Sequence, residues 1–192
     1  MTLLLSVLLL LAPIKVEQGR FNITKDGLKI GTDEFAITMQ GKHYVINGKV
    51  TIADVTISSR MELDEKLIPV LYEVSSPEGK IRVDIESGIS ELKTIVAGET
   101  SNAEFRFPEG GLILDNNLFH HYLVLLYRVQ AGQKDFGIFV PQDTRVGSAI
   151  VRNTGPRTYD LDVGDVRLQA TTDADGRLIK LTVPSAKVVV ER

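Results

Sequence analysis

The sequence predicts a mainly β fold, a single curled antiparallel sheet of about a dozen strands packed on one α-helix near residues 116–130. Three observations predict it. Turn signals recur at strand-length intervals from Gly19 to the C-terminus. Between them apolar residues alternate, as in Phe35, Ile37, Met39 and again in Ile179, Leu181, Val183, so each strand has one face to bury. One segment, Leu114 to Arg128, carries helical periodicity instead. So wide a sheet, apolar on one side, must twist and curl around that side, and the helix is the element left to fill the concavity.

Taken in order, the chain opens with a leucine run, Met1 to Pro13, of signal-peptide length and short of the roughly 20 apolar residues that span a bilayer. No Lys or Arg precedes the run, and no clean small-x-small cleavage site follows it. The expectation is export: residues 1–18 a signal peptide or short N-terminal anchor, residues 19–192 a single domain. The mature protein is then periplasmic or secreted in a bacterium, with no membrane span.

Asp26-Gly27 separates Arg20–Thr24 from Leu28–Ile30, and Asn47-Gly48 separates His43–Ile46 from Lys49–Ile52; both dipeptides suit the positive φ angles of two-residue hairpins. Pro77-Glu78-Gly79, Ser87-Gly88, Pro108 to Gly111, Val163-Gly164-Asp165 and Asp175-Gly176 punctuate the rest, which reads as a meander. In the helical segment Phe119, Tyr122, Leu126 and Val129 fall on one side, Asn117, His121 and Arg128 on the other. Asp115 or Asn116 suits the N-cap and Gly132 the stop.

The opening Gly19-x-Phe21-x-Ile23-x-x-x-Gly27-x-x-Ile30-Gly31-x-x-x-Phe35, the meander, the Asp-led helix ending in Leu126-Tyr127-Arg128, and the closing Asp175 to Pro184 hairpin resemble a set of bacterial exported domains of unknown function. Their fold is similar to the Lol-type periplasmic lipoprotein carriers, an antiparallel β half-barrel wrapped over a helix. The resemblance covers residues 19–192 and implies an apolar concavity for an acyl chain or similar lipid-like group. It carries over no catalytic residue. The tryptophan common in the last part of such sheets and the second helix of the carriers have no counterpart here, so lipoprotein carriage is not implied.

Composition narrows the chemistry. The 192 residues suit one domain, and a net charge of −3 without a block of like charge argues against nucleic acid. With no cysteine there is no thiolate nucleophile, thiolate metal site or disulfide. His120 and His121 are neighbours whose side chains diverge by about 100° on a helix, so they do not close on one metal ion, and His121 reads as a helix-surface residue. His43, in a strand, is a weaker candidate still. No metal or cofactor is expected.

Asp54, Glu62, Asp64, Asp84, Glu86, Glu91, Asp160 and Asp162 alternate in or beside strands as outward-facing residues do, and no nucleophile elbow, phosphate loop or His-Glu-x-x-His helix appears. No catalytic residue is therefore named. The expected function is non-enzymatic binding of an apolar or amphipathic ligand between sheet and helix, with Phe119, Tyr122, Leu126, Phe105 and Phe139 as pocket wall and Asn116 and Asn117 as polar mouth. Core packing of these aromatics and plain helix capping by Asp115 to Asn117 explain the same residues without a ligand. The rival readings are a cell-envelope structural or interaction domain with a packed core, and an enzyme acting on a small hydrophobic or glycan substrate.

Overall fold

A computed structural model describes residues 14–192, in which fifteen strands form one curled, unclosed sheet and one α-helix packs into its core. A first meander runs through β1 (Glu17–Lys25), β2 (Leu28–Gln40), β3 (His43–Ile52), β4 (Val55–Leu63), β5 (Pro69–Ser76), β6 (Gly79–Asp84), β7 (Ser90–Val96) and β8 (Glu99–Phe105). After the short β9 (Leu112–Ile113) and the helix α1 (His121–Gln130), a second meander follows: β10 (Asp135–Val140), β11 (Arg145–Gly155), β12 (Thr158–Val163), β13 (Val166–Thr172), β14 (Leu178–Val183) and β15 (Val188–Glu191). The two meanders join where β1 pairs with β15, Ile23 opposite Val190, so the terminal strands lie at the centre and β8 and β9 are the free edges. All pairs are antiparallel except β9 with β10. Those two strands flank α1, and a helical crossover returns the chain in the direction it left.

Alternation builds the core. Phe21 and Ile23 on β1, Phe35 and Ile37 on β2, and Tyr159 and Leu161 on β12 are buried, while Arg20, Glu34 and Arg152 face solvent. All these apolar residues and Leu123, Val124, Leu125 and Leu126 of α1 belong to one cluster. The cluster already includes Ile14, ahead of the expected boundary at residue 19, and Glu17 accepts hydrogen bonds from Arg192 at 3.2 Å. The leucine run expected to act as a leader, Met1 to Pro13, lies outside the described residues. No described helix is long and apolar enough to cross a membrane.

Two expectations need correction. Asn47-Gly48 is not a turn; it lies inside the continuous β3, and the chain reverses at Gly41-Lys42 and Ala53-Asp54 instead. The dipeptide's turn preference yields to ten consecutive pairings with β2 and to a ring that needs the space above Gly48, described below. Asp26-Gly27, in contrast, does form the β1–β2 turn, with φ of 51° and 79°.

The helix is shorter than expected and has no polar outer face. It begins at His121 without a side-chain cap, because Asp115 is buried and its carboxylate is engaged elsewhere, while residues 115–120 form turns with Asn117 at φ 62°. His121 and Arg128, expected at the surface, are 1% and 6% exposed. The sheet lies along one side of α1 and the segment between β8 and the helix along the other: Arg128 donates to the carbonyls of Gly110 and Gly111 and to Gln133. Gly132 ends the helix at φ 100°, as expected.

Candidate functional site: a buried polar chain beside an open cleft

Three adjacent strands each place one polar or small residue at an inward position. Asp33 shares its face with Phe35 and Ile37 on β2, Gly48 with Ile46 and Val50 on β3, and Ser59 with Met61 and Leu63 on β4. The His120 ring lies over Gly48, where a Cβ would stand 2.1 Å from its Cε1 and Nε2. Only glycine permits that approach. Asp33 accepts from the His120 backbone N–H at 2.9 Å and faces Nδ1 at 2.8 Å; Nε2 faces Ser59 Oγ at 2.9 Å. An ionised carboxylate only accepts, so Nδ1 carries the proton and Nε2 receives the Ser59 hydroxyl. Asp33 and His120 have no solvent exposure and Ser59 has 6%.

A second polar cluster adjoins it. Tyr72, on β5, donates to Asp115 Oδ2 at 2.7 Å, and Asp115 Oδ1 accepts the backbone N–H groups of Asn116 at 3.1 Å and Gln142 at 3.2 Å. Burial pushes the Asp115 carboxyl above its ordinary range, against the pull of those donors, and pushes the Tyr72 phenol well above its own, an effect the nearby Asp115 charge reinforces. The neighbouring His121 accepts from the Asp115 backbone N–H at 3.2 Å through Nδ1 and meets the Tyr72 ring edge-on. Its Nε2 is buried with no hydrogen-bond partner, and desolvation holds its pKa well below the ordinary histidine value, with the His120 ring adding to the effect. Asp115 thus ties the first meander, the approach to the helix and the turn after β10 together.

Gln142 belongs to that turn, Pro141–Asp143, which forms one wall of a cleft of about 610 Å³. The opposite wall is the inner face of β4 to β7: Ile57, Val74, Ile81 and Val96, with Val55 beside them. Val55 and Val96 are 49% and 57% exposed, so the cleft is lined by uncovered apolar surface, and Asn117, Glu78, Lys80, Gln142 and Asp143 supply its polar rim. Ile57 precedes Ser59 by two residues on the same face of β4, and Val74 sits directly opposite Ser59 on β5. The polar chain is therefore next to two residues of the cleft wall, but Ser59, His120 and Asp33 are buried behind it and do not line it. Grooves on the outer faces differ, because paired ions occupy them: Arg82 with Glu73 and Asp84, and Arg152 with Asp162.

Of the residues predicted as ligand contacts, Asn117 lies on this cleft, while Asn116 donates its backbone N–H to Asp115 next to it. Phe119, Leu126 and Phe139 are in the packed core; Tyr122 and Phe105 are partly buried against it, Phe105 stacked on Phe139 at 4.1 Å. Among the described residues no group of acidic, histidine or cysteine side chains is arranged for a metal ion. Sequence reasoning missed Asp33, Ser59 and Tyr72. Their signal was available: Asp33 and Ser59 are polar residues in the apolar phase of their strands.

Comparison with known proteins adds no further constraint: no family model, no curated protein and no solved structure matches the chain.

Proposed function

We propose that this is a binding protein whose ligand is an amphipathic molecule with a single apolar chain, held in the cleft between the inner face of β4 to β7 and the Pro141–Asp143 turn. The observation that carries the reading is the cleft itself. A volume of about 610 Å³ is within the usual range for small-molecule sites, and its apolar wall ends in a polar rim, as such a ligand requires. The binding place differs from the expected one between sheet and helix, where Phe119, Leu126 and Phe139 are buried in the core. An extracytoplasmic location, as the leucine run suggests, would put the protein where lipid-like ligands pass between membranes.

The test is titration with a fluorescent fatty-acid probe. Wild type is expected to bind with saturable affinity, and the double variant Val55→Lys, Val96→Lys to lose affinity at least about tenfold, because two cations would enter the apolar wall while the exposed positions leave folding intact. Unchanged affinity in that variant would remove the ligand from this cleft.

A further inference from the structure

We infer that one end of the curled sheet is a membrane-docking rim: the hairpin tips around the mouth of the cleft enter the surface layer of a zwitterionic bilayer and bring the cleft to the lipid from which it takes its ligand. The inference rests on the binding reading for that ligand and on separate observations for the surface. The two meanders join through antiparallel β1 and β15, with Lys25 opposite Val188, so seven hairpins close at the same end of the sheet: β1–β2, β3–β4, β5–β6, β7–β8, β10–β11, β12–β13 and β14–β15. Among the described residues nine large hydrophobics are exposed, and five of them flank these tips: Leu28, Val55, Val96, Val146 and Val166.

The interior behind the rim is incompletely filled. The helix ends at the opposite pole, where Gln130 donates to the Gly176 carbonyl of the β13–β14 turn at 2.6 Å and Tyr127 donates to Glu17 at the start of β1. Its N-terminal approach reaches Gly48 and Ser59, in the middle of β3 and β4. Toward the rim, Ile30, Ile52, Val163, Val183 and Val188 pack against the core cluster and are only partly buried. Covering such a rim releases apolar area from water.

Three features fit a bilayer rather than a protein as the cover. The exposed side chains stand on separate tips, which a fluid layer accommodates one by one, whereas a protein partner would need a matching pocket for each. Charges on the tips are of both signs, Asp54 and Asp165 against Lys25 and Arg145, with Asp26 paired to Lys187 at 3.1 Å. Area and not net charge therefore supplies the attraction, as a phosphocholine surface requires. Val55 and Val96 belong both to the rim and to the cleft wall, so an amphipathic molecule in the layer meets the cleft without crossing water.

The chain has no cysteine, so single introduced cysteines report each pole separately in the full chain. Val166→Cys at the rim and Met39→Cys at the opposite pole, both exposed positions, are labelled with an environment-sensitive fluorophore and mixed with phosphatidylcholine vesicles that contain nitroxide-labelled lipid. The expected result is quenching of the rim label, insensitive to salt, and none at Met39. Leu28→Glu with Val146→Glu alters exposed tips that do not line the cleft, and is expected to weaken vesicle partitioning read by the rim label at least about tenfold while fatty-acid probe affinity stays unchanged. Quenching at Met39 overturns the inference by turning the pole that holds Ile14 toward the membrane, and quenching at the rim that survives the double variant overturns it as well. A spectral shift of the rim label that grows with protein concentration in the absence of vesicles overturns it in favour of two copies meeting rim to rim. Probe binding without rim quenching overturns the rim and leaves the cleft standing. Rim quenching without probe binding supports the rim and refutes the cleft as a fatty-acid site.

Discussion

The two meanders are halves of one sheet, yet their inner faces are built differently. On the C-terminal half the buried inward positions of β11 to β15 are Ala149, Val151, Tyr159, Leu161, Leu168, Ala170, Leu178, Leu181 and Val190, with Thr172 the buried polar residue among them. On the N-terminal half Asp33, Ser59 and Ser90 interrupt the apolar phase, and Tyr72 turns its hydroxyl to Asp115. The difference teaches where the fold is specified by direction and where by area. Apolar packing tolerates sliding, whereas a carboxylate that takes two donors from one histidine accepts one position of the helix approach.

The largest effect should come from breaking that specification. Asp33→Ala leaves the backbone N–H and Nδ1–H of His120 buried and unpaired, and is expected to cost about 3–5 kcal/mol by urea denaturation. Leu161→Ala, fully buried on the other half, is expected to cost a comparable 2–5 kcal/mol through its cavity. The mechanisms separate in a second measurement: amide exchange in residues 115–121 should accelerate locally in Asp33→Ala and only with global unfolding in Leu161→Ala. A cost under about 1 kcal/mol for Asp33→Ala would mean that the polar chain does not hold the helix.

A matched pair of glycines sharpens the contrast. Gly48→Ala pushes a methyl into the His120 ring, where the nearest atoms lie 2.1 Å from the new Cβ, and is expected to destabilise by about 1–3 kcal/mol. Gly147→Ala, on β11, meets only the Ile138 side chain at 3.5 Å and is expected to change stability by less than about 1 kcal/mol. Thermal unfolding of the two variants decides it. Equal losses would show that the ring can move away from Gly48.

How much of this was legible follows from the same contrast. The C-terminal half and the lone helix could be read from periodicity, because area burial leaves a repeating apolar pattern. The turn at Asp26-Gly27 was legible because its φ angles are a local demand, whereas the identical logic failed at Asn47-Gly48, where the demand on glycine comes from a histidine 72 positions away. Asp33 and Ser59 do leave a local trace, a polar residue in the apolar phase of a strand, but that break in alternation acquires meaning only when β2, β3 and β4 are side by side and His120 lies across them. Enclosure of His121 and Arg128 was hidden likewise, since helical periodicity gives no hint that a second covering, the segment after β8, lies over the helix.

The smallest effect concerns His121. His121 has its pKa lowered well below the ordinary value by burial, so between that folded value and about 6.5 the unfolded chain binds a proton that the native state does not. Stability from this residue is fully present above about 6.5 and is lost as pH falls, with a slope of at most about 1.4 kcal/mol per pH unit. Asp115 acts in the opposite sense: its raised pKa adds stability as the carboxyl protonates, in a window that begins at the unfolded value of 3.8 and extends upward. Urea midpoints at pH 7, 6 and 5 for wild type and for His121→Asn isolate the histidine contribution, because the variant keeps an acceptor for the Asp115 backbone N–H while removing the titrating ring. Wild type is expected to weaken more steeply with acid than the variant between pH 7 and 5. Parallel curves would mean that His121 takes up its proton in the folded state, which the edge-on Tyr72 ring and the enclosing core leave no solvent to support.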